Sequence, residues 1–162
     1  MTQGNALETI SRGEVEDVLL RACPSFEISP GRLKYHEDYD QEDEPLVYLL
    51  ASAFVLHLTE LNAAGRRNEF PAVFDVIEDL HLRGDSYVRQ LATIGFLEDL
   101  QNDNLHPASS KPEDFIPYLR PVSLWWWMEV ELFWAGKVNP IGSSGRPRPP
   151  EMGSASPKLP TE

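Results

Sequence analysis

Hydrophobic residues recur at helical spacing along most of the chain, whereas strict alternation of apolar and polar residues is scarce. Ser11 and Glu14 have the spacing of a capping box, and an apolar stripe follows at Val15, Val18 and Leu19. The same period returns in the segments 46–65, 72–84, 86–101 and 122–136. The pattern predicts an all-α fold, either an irregular bundle or a short HEAT-like stack of about six helices joined by short turns.

Proline and glycine mark the expected helix ends. Pro24 ends the first helix, Pro45 and Pro121 suit first turns, and Gly65 and Gly84 suit stops. A short helix is predicted at "PEDFIPYL", and the last helix should stop at residue 136. Residues 24–44 are predicted to be a connection with a short extended piece at "FEIS".

The composition divides the chain into a folded domain, residues 6–136, and a tail, residues 137–162. The tail reads "KVNPIGSSGRPRPPEMGSASPKLPTE" and holds six of the fourteen prolines. So few large apolar residues cannot offset the entropy lost on ordering, and the tail is therefore predicted to be disordered.

Acidic residues dominate the predicted domain. The chain has 14 Lys and Arg against 26 Asp and Glu, and the tail holds four basic and two acidic residues, so residues 1–136 carry a net charge of 10 − 24 = −14. Such a field repels nucleic acid and anionic membranes and favours a basic protein partner. Solubility alone is the other interpretation of this charge.

Six carboxylates precede the most apolar helix and are candidates for binding a basic partner. They are Glu37, Asp38, Asp40, Glu42, Asp43 and Glu44. The run lacks the glycine and the distal Glu of an EF-hand loop. It is interpreted either as a surface that attracts cations or as a solvated linker before a helix N-terminus.

Cysteine and histidine give no metal signature. Cys23 is the only cysteine, so no internal disulfide and no cysteine-based zinc site are expected, and the four histidines lack ligand spacing. His57 lies on an apolar helix and is interpreted as a core histidine. The sequence therefore predicts no metal and no cofactor.

The N-terminus lacks a secretion signal and the run Leu46–Leu58 is too short to span a bilayer, so a cytoplasmic protein is expected.

The stretch "SLWWWMEVELFW" contains all four tryptophans. Because successive residues step 100° around a helix, three consecutive tryptophans cannot share one face. Either this helix is packed on several sides or one tryptophan remains at the surface. Trp125 and Trp127 are the candidates for an exposed aromatic anchor of a partner.

The segment "GFLEDLQN" ends a helix that is apolar nearly all round. Gly95 suits a close approach of another helix, and Glu98 and Asn102 need polar partners near that crossing, for which adjacent backbone is expected. A small enzyme or ligand-binding domain that uses Glu98, Asp99 and Asn102 in a helical cleft is one hypothesis. No nucleophile stands beside a base, so no catalytic residue is assigned.

The segments "ATIGFLEDLQN", "PEDFIPYL" and "P-x-S-L-W-W-W-x-x-x-E-L-F-W" resemble a family of small helical bacterial proteins of unknown function. The resemblance covers about residues 46–134, and some relatives lie among the immunity proteins of polymorphic toxins. It implies no active site. Its signature positions are Gly95, Phe96, Leu97, Glu98, Leu100, Gln101 and Asn102.

The first functional hypothesis is accordingly an acidic cytosolic protein-binding domain, and its more specific form is an immunity protein that neutralises a basic toxin. A regulatory adaptor differs from it mainly in its partner, and the small enzyme or ligand-binding domain is the alternative of a different class.

Overall fold

The computed structural model describes residues 8–153, and the all-α prediction is confirmed. The helices α1 to α4 and α6 are Val15–Ala22, Pro30–Tyr39, Val47–Ala63, Phe70–Arg83 and Pro121–Trp134, and α5 spans residues 86–100. Short 3-10 helices lie at Arg12–Glu14, Pro24–Ile28, Asp103–Leu105, Pro112–Tyr118 and Pro150–Met152. Within residues 8–153, β-pairing is limited to one isolated bridge between Ile10 and Gly84. No helix of this part of the chain is long and apolar enough to cross a membrane.

Helix α5 is the centre of the fold. It begins as the α-helix Ser86–Gln90, widens into the π-helix Leu91–Leu97 and closes with the α-helical turn Glu98–Leu100. The π segment packs against α3, α4 and α6, and six of its seven residues are buried. A Cβ added to Gly95 would lie 2.8 Å from the Leu91 side chain of α5 itself and 3.3 Å from the Tyr48 ring of α3, and the second contact agrees with the close approach that the sequence predicts there.

The predicted connection at residues 24–44 is wrong, because most of it is helical. Pro24–Ile28 is a 3-10 helix rather than an extended piece, and α2 follows. Ser29 caps α2 by accepting a hydrogen bond from the Arg32 backbone N–H, and Pro30 occupies the first turn. The charged outer face of α2 conceals the helix from a search for apolar periodicity, since Tyr35 is its one buried side chain.

Helix α6 is surrounded on several sides. The Glu78 carboxylate of α4 accepts hydrogen bonds from the backbone N–H groups of Val122 and Ser123, at 2.9 and 2.8 Å, and from the Ser123 hydroxyl. It thereby satisfies free donors at the N-terminus of α6, where the helix dipole also favours negative charge.

Residues 137–153, here called the C-terminal strap, contact α6, while the division into a domain at residues 6–136 and a disordered tail stays a prediction. Arg146 lies 3.3 Å from the carboxylate of Glu129, a residue of α6 with no exposed surface, and donates a 3.0 Å hydrogen bond to the Trp125 carbonyl. Ser144 also bonds to Glu129. The buried charge of Glu129 needs these partners, and composition alone does not reveal such pairing. Residues 154–162 of the predicted tail lie outside the described residues, as do residues 6 and 7 of the predicted domain.

Candidate functional site

A cleft opens where α5 ends, between that end, the two 3-10 helices that follow it and α6. Its lining includes the apolar side chains of Ile116, Trp127 and Trp134. Five carboxylates also line it: Glu98, Asp99, Asp103, Glu113 and Glu131. None of the described side chains that line it is a lysine or an arginine. We call it the acidic cleft.

Hydrogen bonds fix the walls of the acidic cleft. Asp99 accepts a 2.9 Å bond from the Ser52 hydroxyl of α3, and Glu131 accepts a 3.0 Å bond from the Trp127 indole N–H. Gln101 donates to the Trp127 carbonyl at 2.9 Å and so ties the end of α5 to α6. The expected bond between Asn102 and adjacent backbone is confirmed, because its side chain accepts from the Asn104 N–H.

Glu98 differs from its neighbours in the acidic cleft, and the backbone partner expected for it is not found. Within residues 8–153 it makes no hydrogen bond and no ion pair, although it is half-buried. Burial, and then the neighbouring Asp99 carboxylate, raise the pKa of Glu98 above its ordinary value. Burial also raises the pKa of Asp99, against the opposing effect of the Ser52 hydrogen bond. The negative charges therefore lack compensation, and a cation in the cleft would supply it.

The tryptophan left at the surface is Trp134, which is 64% exposed beside the acidic cleft. The assignment of Trp125 and Trp127 as exposed anchors is wrong, because they are only 5% and 1% exposed. The strap contacts Trp125, and the end of α5 bonds to the backbone of Trp127. Trp127 is still among the residues that line the cleft.

The acidic run predicted from the sequence lies elsewhere. Glu37, Asp38 and Asp40 are on or next to the end of α2, and Glu42, Asp43 and Glu44 follow it; all six lie outside the lining of the acidic cleft. Three of the six have cationic partners within the chain. The Asp38 carboxylate lies 3.3 Å from Lys34, the Glu44 carboxylate lies 2.9 Å from Arg12, and Asp40 contacts the His36 ring. Hydrogen bonds to Asp40 and Glu16 raise the pKa of His36.

A second cleft lies between α1 and α4, and its charge is mixed. Five carboxylates and two arginines line it: Glu8, Glu14, Asp17, Asp75, Asp79, Arg21 and Arg83. Because cations of the chain already face these carboxylates, this cleft is less suited to a basic ligand than the acidic cleft.

A group of potential metal ligands lies apart from both clefts, and no sequence motif predicts it. Cys23 follows α1, His57 lies on α3, and Glu69 precedes α4; their ligand atoms all lie within 4.8 Å of one another. Burial raises the pKa of the Cys23 thiol to about 12. Burial also lowers the pKa of His57. The interpretation of His57 as a core histidine is incomplete, since it is half-buried and its Nε2 lies 2.8 Å from the Ser25 hydroxyl.

Comparison with protein families places the chain in one of them. The family model described as Domain of unknown function (DUF7674) covers residues 17–135, and the chain belongs to this family. The expected membership of a family of unknown function is thereby confirmed, and the match extends to α1 and α2. No curated protein and no solved structure matches the chain.

Proposed function

We propose that this member of the DUF7674 family is a binding domain whose acidic cleft receives a lysine- or arginine-containing segment of a partner protein. The observation that carries the proposal is the set of five carboxylates that line a cleft together with two tryptophans, with no lysine or arginine among the described lining side chains. A basic side chain would supply the missing countercharge.

Two properties of the acidic cleft favour a basic side chain over a metal ion or a small neutral ligand. The exposed indole of Trp134 offers a face for a cation–π contact, which contributes about 0.5–1 kcal/mol at an exposed site. The half-buried Glu98 carboxylate has no partner among the described residues, so an incoming guanidinium or ammonium displaces no existing ion pair there. A guanidinium can also donate to two carboxylates at once.

The charge of the chain supports the same class of partner. A formal net charge of −12 accelerates encounter with a basic protein and disfavours acidic surfaces.

In its more specific form the proposal is an immunity protein that covers a basic toxin, and a regulatory adaptor is the other form. Co-expression with the product of the adjacent gene tests the immunity form. Rescue of growth together with co-purification supports it, and failure of both removes it.

Binding of short peptides tests the cleft itself. We expect an arginine-rich peptide to bind the full chain in calorimetry, and a peptide with the arginines replaced by glutamate to show no binding. The double variant Glu98→Gln, Glu131→Gln should weaken binding about tenfold, because two charges at about 1 kcal/mol or less each are lost.

The matched control removes two charges from the exposed acidic run instead. Glu37→Gln with Asp38→Asn changes the net charge equally and leaves the acidic cleft intact. If this control weakens binding as much as the cleft variant does, the partner binds the acidic run or responds to net charge alone, and the cleft proposal fails.

The alternative function is a small enzyme or ligand-binding domain, and the raised pKa values of Glu98 and Asp99 in a cleft favour it. The third residue of that hypothesis, Asn102, is already used to cap a 3-10 turn. A screen of small cationic metabolites that finds a ligand lost in Glu98→Gln, while basic peptides do not bind, would replace the peptide-binding proposal with this one.

A further inference from the structure

We propose that Cys23, His57 and Glu69 form a binding site for one zinc-type transition-metal ion. The three residues come from different parts of the chain, and the fold alone brings a thiol, an imidazole and a carboxylate together. This inference is independent of the acidic cleft, to which none of the three residues contributes.

The distances suit a single ion. Cys23 Sγ lies 3.3 Å from Glu69 Oε1, and the Ser25 hydroxyl lies 2.6 Å from Glu69 Oε1 and 2.8 Å from His57 Nε2. In a tetrahedral zinc site with ordinary bond lengths, neighbouring ligand atoms lie about 3.3–3.6 Å apart. Since no pair of the three ligand atoms exceeds 4.8 Å, shifts of roughly 1 Å would complete the geometry.

The carboxylate is already oriented for such a role. The Ser25 backbone N–H donates to Glu69 Oε2 at 3.1 Å, so this oxygen is held by the chain while Oε1 faces the thiol. Hydrogen bonds of this kind from outside the ligand set are typical of protein metal sites. The Ser25 hydroxyl bridges Glu69 Oε1 and His57 Nε2, so an ion bound by these two atoms would replace its hydrogen bonds.

The three ligands differ in burial, and the two half-buried ones give a metal ion access to the group. Cys23 has no exposed surface, whereas His57 and Glu69 are half-buried. An ion can therefore reach the group from the side of His57 and Glu69 and then contact the thiol. The fourth tetrahedral position remains for water, as in open zinc sites.

The ligand chemistry selects the ion. A thiolate and an imidazole favour zinc, cobalt and related transition metals over calcium and magnesium, which prefer oxygen ligands. When the metal–sulfur bond forms, the sulfur–hydrogen bond breaks, the sulfur keeps the electron pair, and the proton passes to water. No electron is transferred to or from the metal.

Cobalt is the probe for the test, since it reports its ligands by absorption. The tag-free full chain is titrated with Co²⁺, and we expect visible d–d bands together with a near-ultraviolet thiolate-to-cobalt band that saturates at one ion per chain. Because Cys23 is the only cysteine, that band can come from no other residue. Zn²⁺ should then displace the cobalt and abolish both signals.

Variants assign the other ligands. His57→Ala and Glu69→Gln should each weaken Co²⁺ binding more than about 100-fold, since loss of even an outer hydrogen-bond partner costs 10–100-fold. His36→Ala and Glu37→Gln are the matched controls and should leave the affinity unchanged. Glu98→Gln should also leave the cobalt spectrum unchanged, which separates this site from the proposed peptide-binding function.

The wild-type chain tests the thiol ligand directly, without a substitution at the fully buried Cys23. Absence of the near-ultraviolet band at saturating Co²⁺, in protein whose circular dichroism shows it to be folded, overturns the site. The site is equally overturned if His57→Ala and Glu69→Gln, both folded, bind Co²⁺ as tightly as the controls do.

Discussion

Glu98 is the residue in which stability and the proposed function oppose each other. It is half-buried, it lacks a partner within the described residues, and its pKa is raised by burial and by Asp99. A carboxylate whose pKa is higher in the folded than in the unfolded state destabilises the fold once it ionises. An ionised Glu98 therefore lowers stability, and the proposed binding of a basic side chain would offset that cost.

Glu98→Gln should weaken binding of the basic peptide about fivefold and leave the melting temperature at neutral pH equal or slightly higher. The sign follows from linkage: the folded state holds the proton more tightly, so the unfavourable contribution is absent below the unfolded-state pKa and complete above the folded-state pKa. Glutamine removes it. Thermal denaturation and calorimetry of the same samples provide the check.

For wild-type protein, the same linkage predicts that peptide affinity declines as mildly acid pH protonates Glu98 and Asp99. A clear loss of thermal stability in Glu98→Gln at neutral pH would instead indicate a structural role.

Among single residues, the sequence singles out two of the five carboxylates of the acidic cleft, whereas the exposed tryptophan is not predicted. Glu98, Asp99 and Asn102 lie within five positions of one another, and the acidic cleft contains all three. Trp125 and Trp127 are the tryptophans expected at the surface, but Trp134 is the exposed one. Which face of an apolar helix stays open depends on the elements packed around it, and no periodicity within the helix encodes that.

The anchoring of α6 by α4 depends on one carboxylate. Glu78→Gln should lower the free energy of unfolding by about 1–3 kcal/mol, because Glu78 receives three hydrogen bonds on two oxygens and glutamine would direct an N–H₂ group at a donor. The neighbouring Asp79→Asn, which removes only a 3.5 Å surface pair with Arg83, is the control. Urea denaturation measures both. Equal effects would mean that the helix N-terminus does not depend on this contact.

The C-terminal strap depends on the pair between Arg146 and Glu129. Arg146→Ala should destabilise the protein by about 1–3 kcal/mol, since the fully buried carboxylate keeps the Ser144 bonds but loses its cation. Lys137→Ala, at an exposed position of the same segment, is the control. A melting temperature unchanged in both variants would show that the strap contributes nothing to stability.

Among the elements, the long apolar helices can be predicted from the sequence, whereas the π segment of α5 and the polar helix α2 cannot. Helices α3, α4 and α6 follow from apolar period and from proline and glycine punctuation. The π segment does not, because a helical wheel assumes a constant turn per residue and the signal for widening lies in tertiary packing. Helix α2 escapes prediction for the opposite reason: it buries so little that its cap, Ser29 followed by Pro30, is the only available sign.

For the molecule as a whole, charge is the property that a partner meets first. The affinity for a basic peptide should fall as salt rises, because screening shortens the range of attraction from about 10 Å at 0.1 M ionic strength to about 3 Å at 1 M. We expect a shallower salt dependence for the cleft variant Glu98→Gln, Glu131→Gln than for wild type. If salt leaves peptide affinity unchanged, the contact is apolar and the electrostatic proposal is wrong.

Charge and fold class can both be predicted from the sequence. The two candidate sites differ in how many of their residues the sequence reveals. The acidic cleft is half visible, because several of its residues are contiguous in "GFLEDLQN". The sequence does not predict the group of Cys23, His57 and Glu69, because its members come from three parts of the chain and no spacing rule describes how those parts pack. Contacts between distant parts of a chain require the tertiary structure.

The uneven burial of the four tryptophans makes the protein its own optical reporter. Trp125, Trp126 and Trp127 are 5%, 6% and 1% exposed, whereas Trp134 is 64% exposed beside five carboxylates. A collisional quencher in solution therefore extinguishes mainly the emission of Trp134. Caesium ions should quench it more strongly than iodide ions, since the cleft concentrates cations and repels anions. The ratio of the caesium to the iodide quenching constant thus measures the local electrostatic potential. A fall of this ratio toward one would indicate that a basic ligand occupies the cleft.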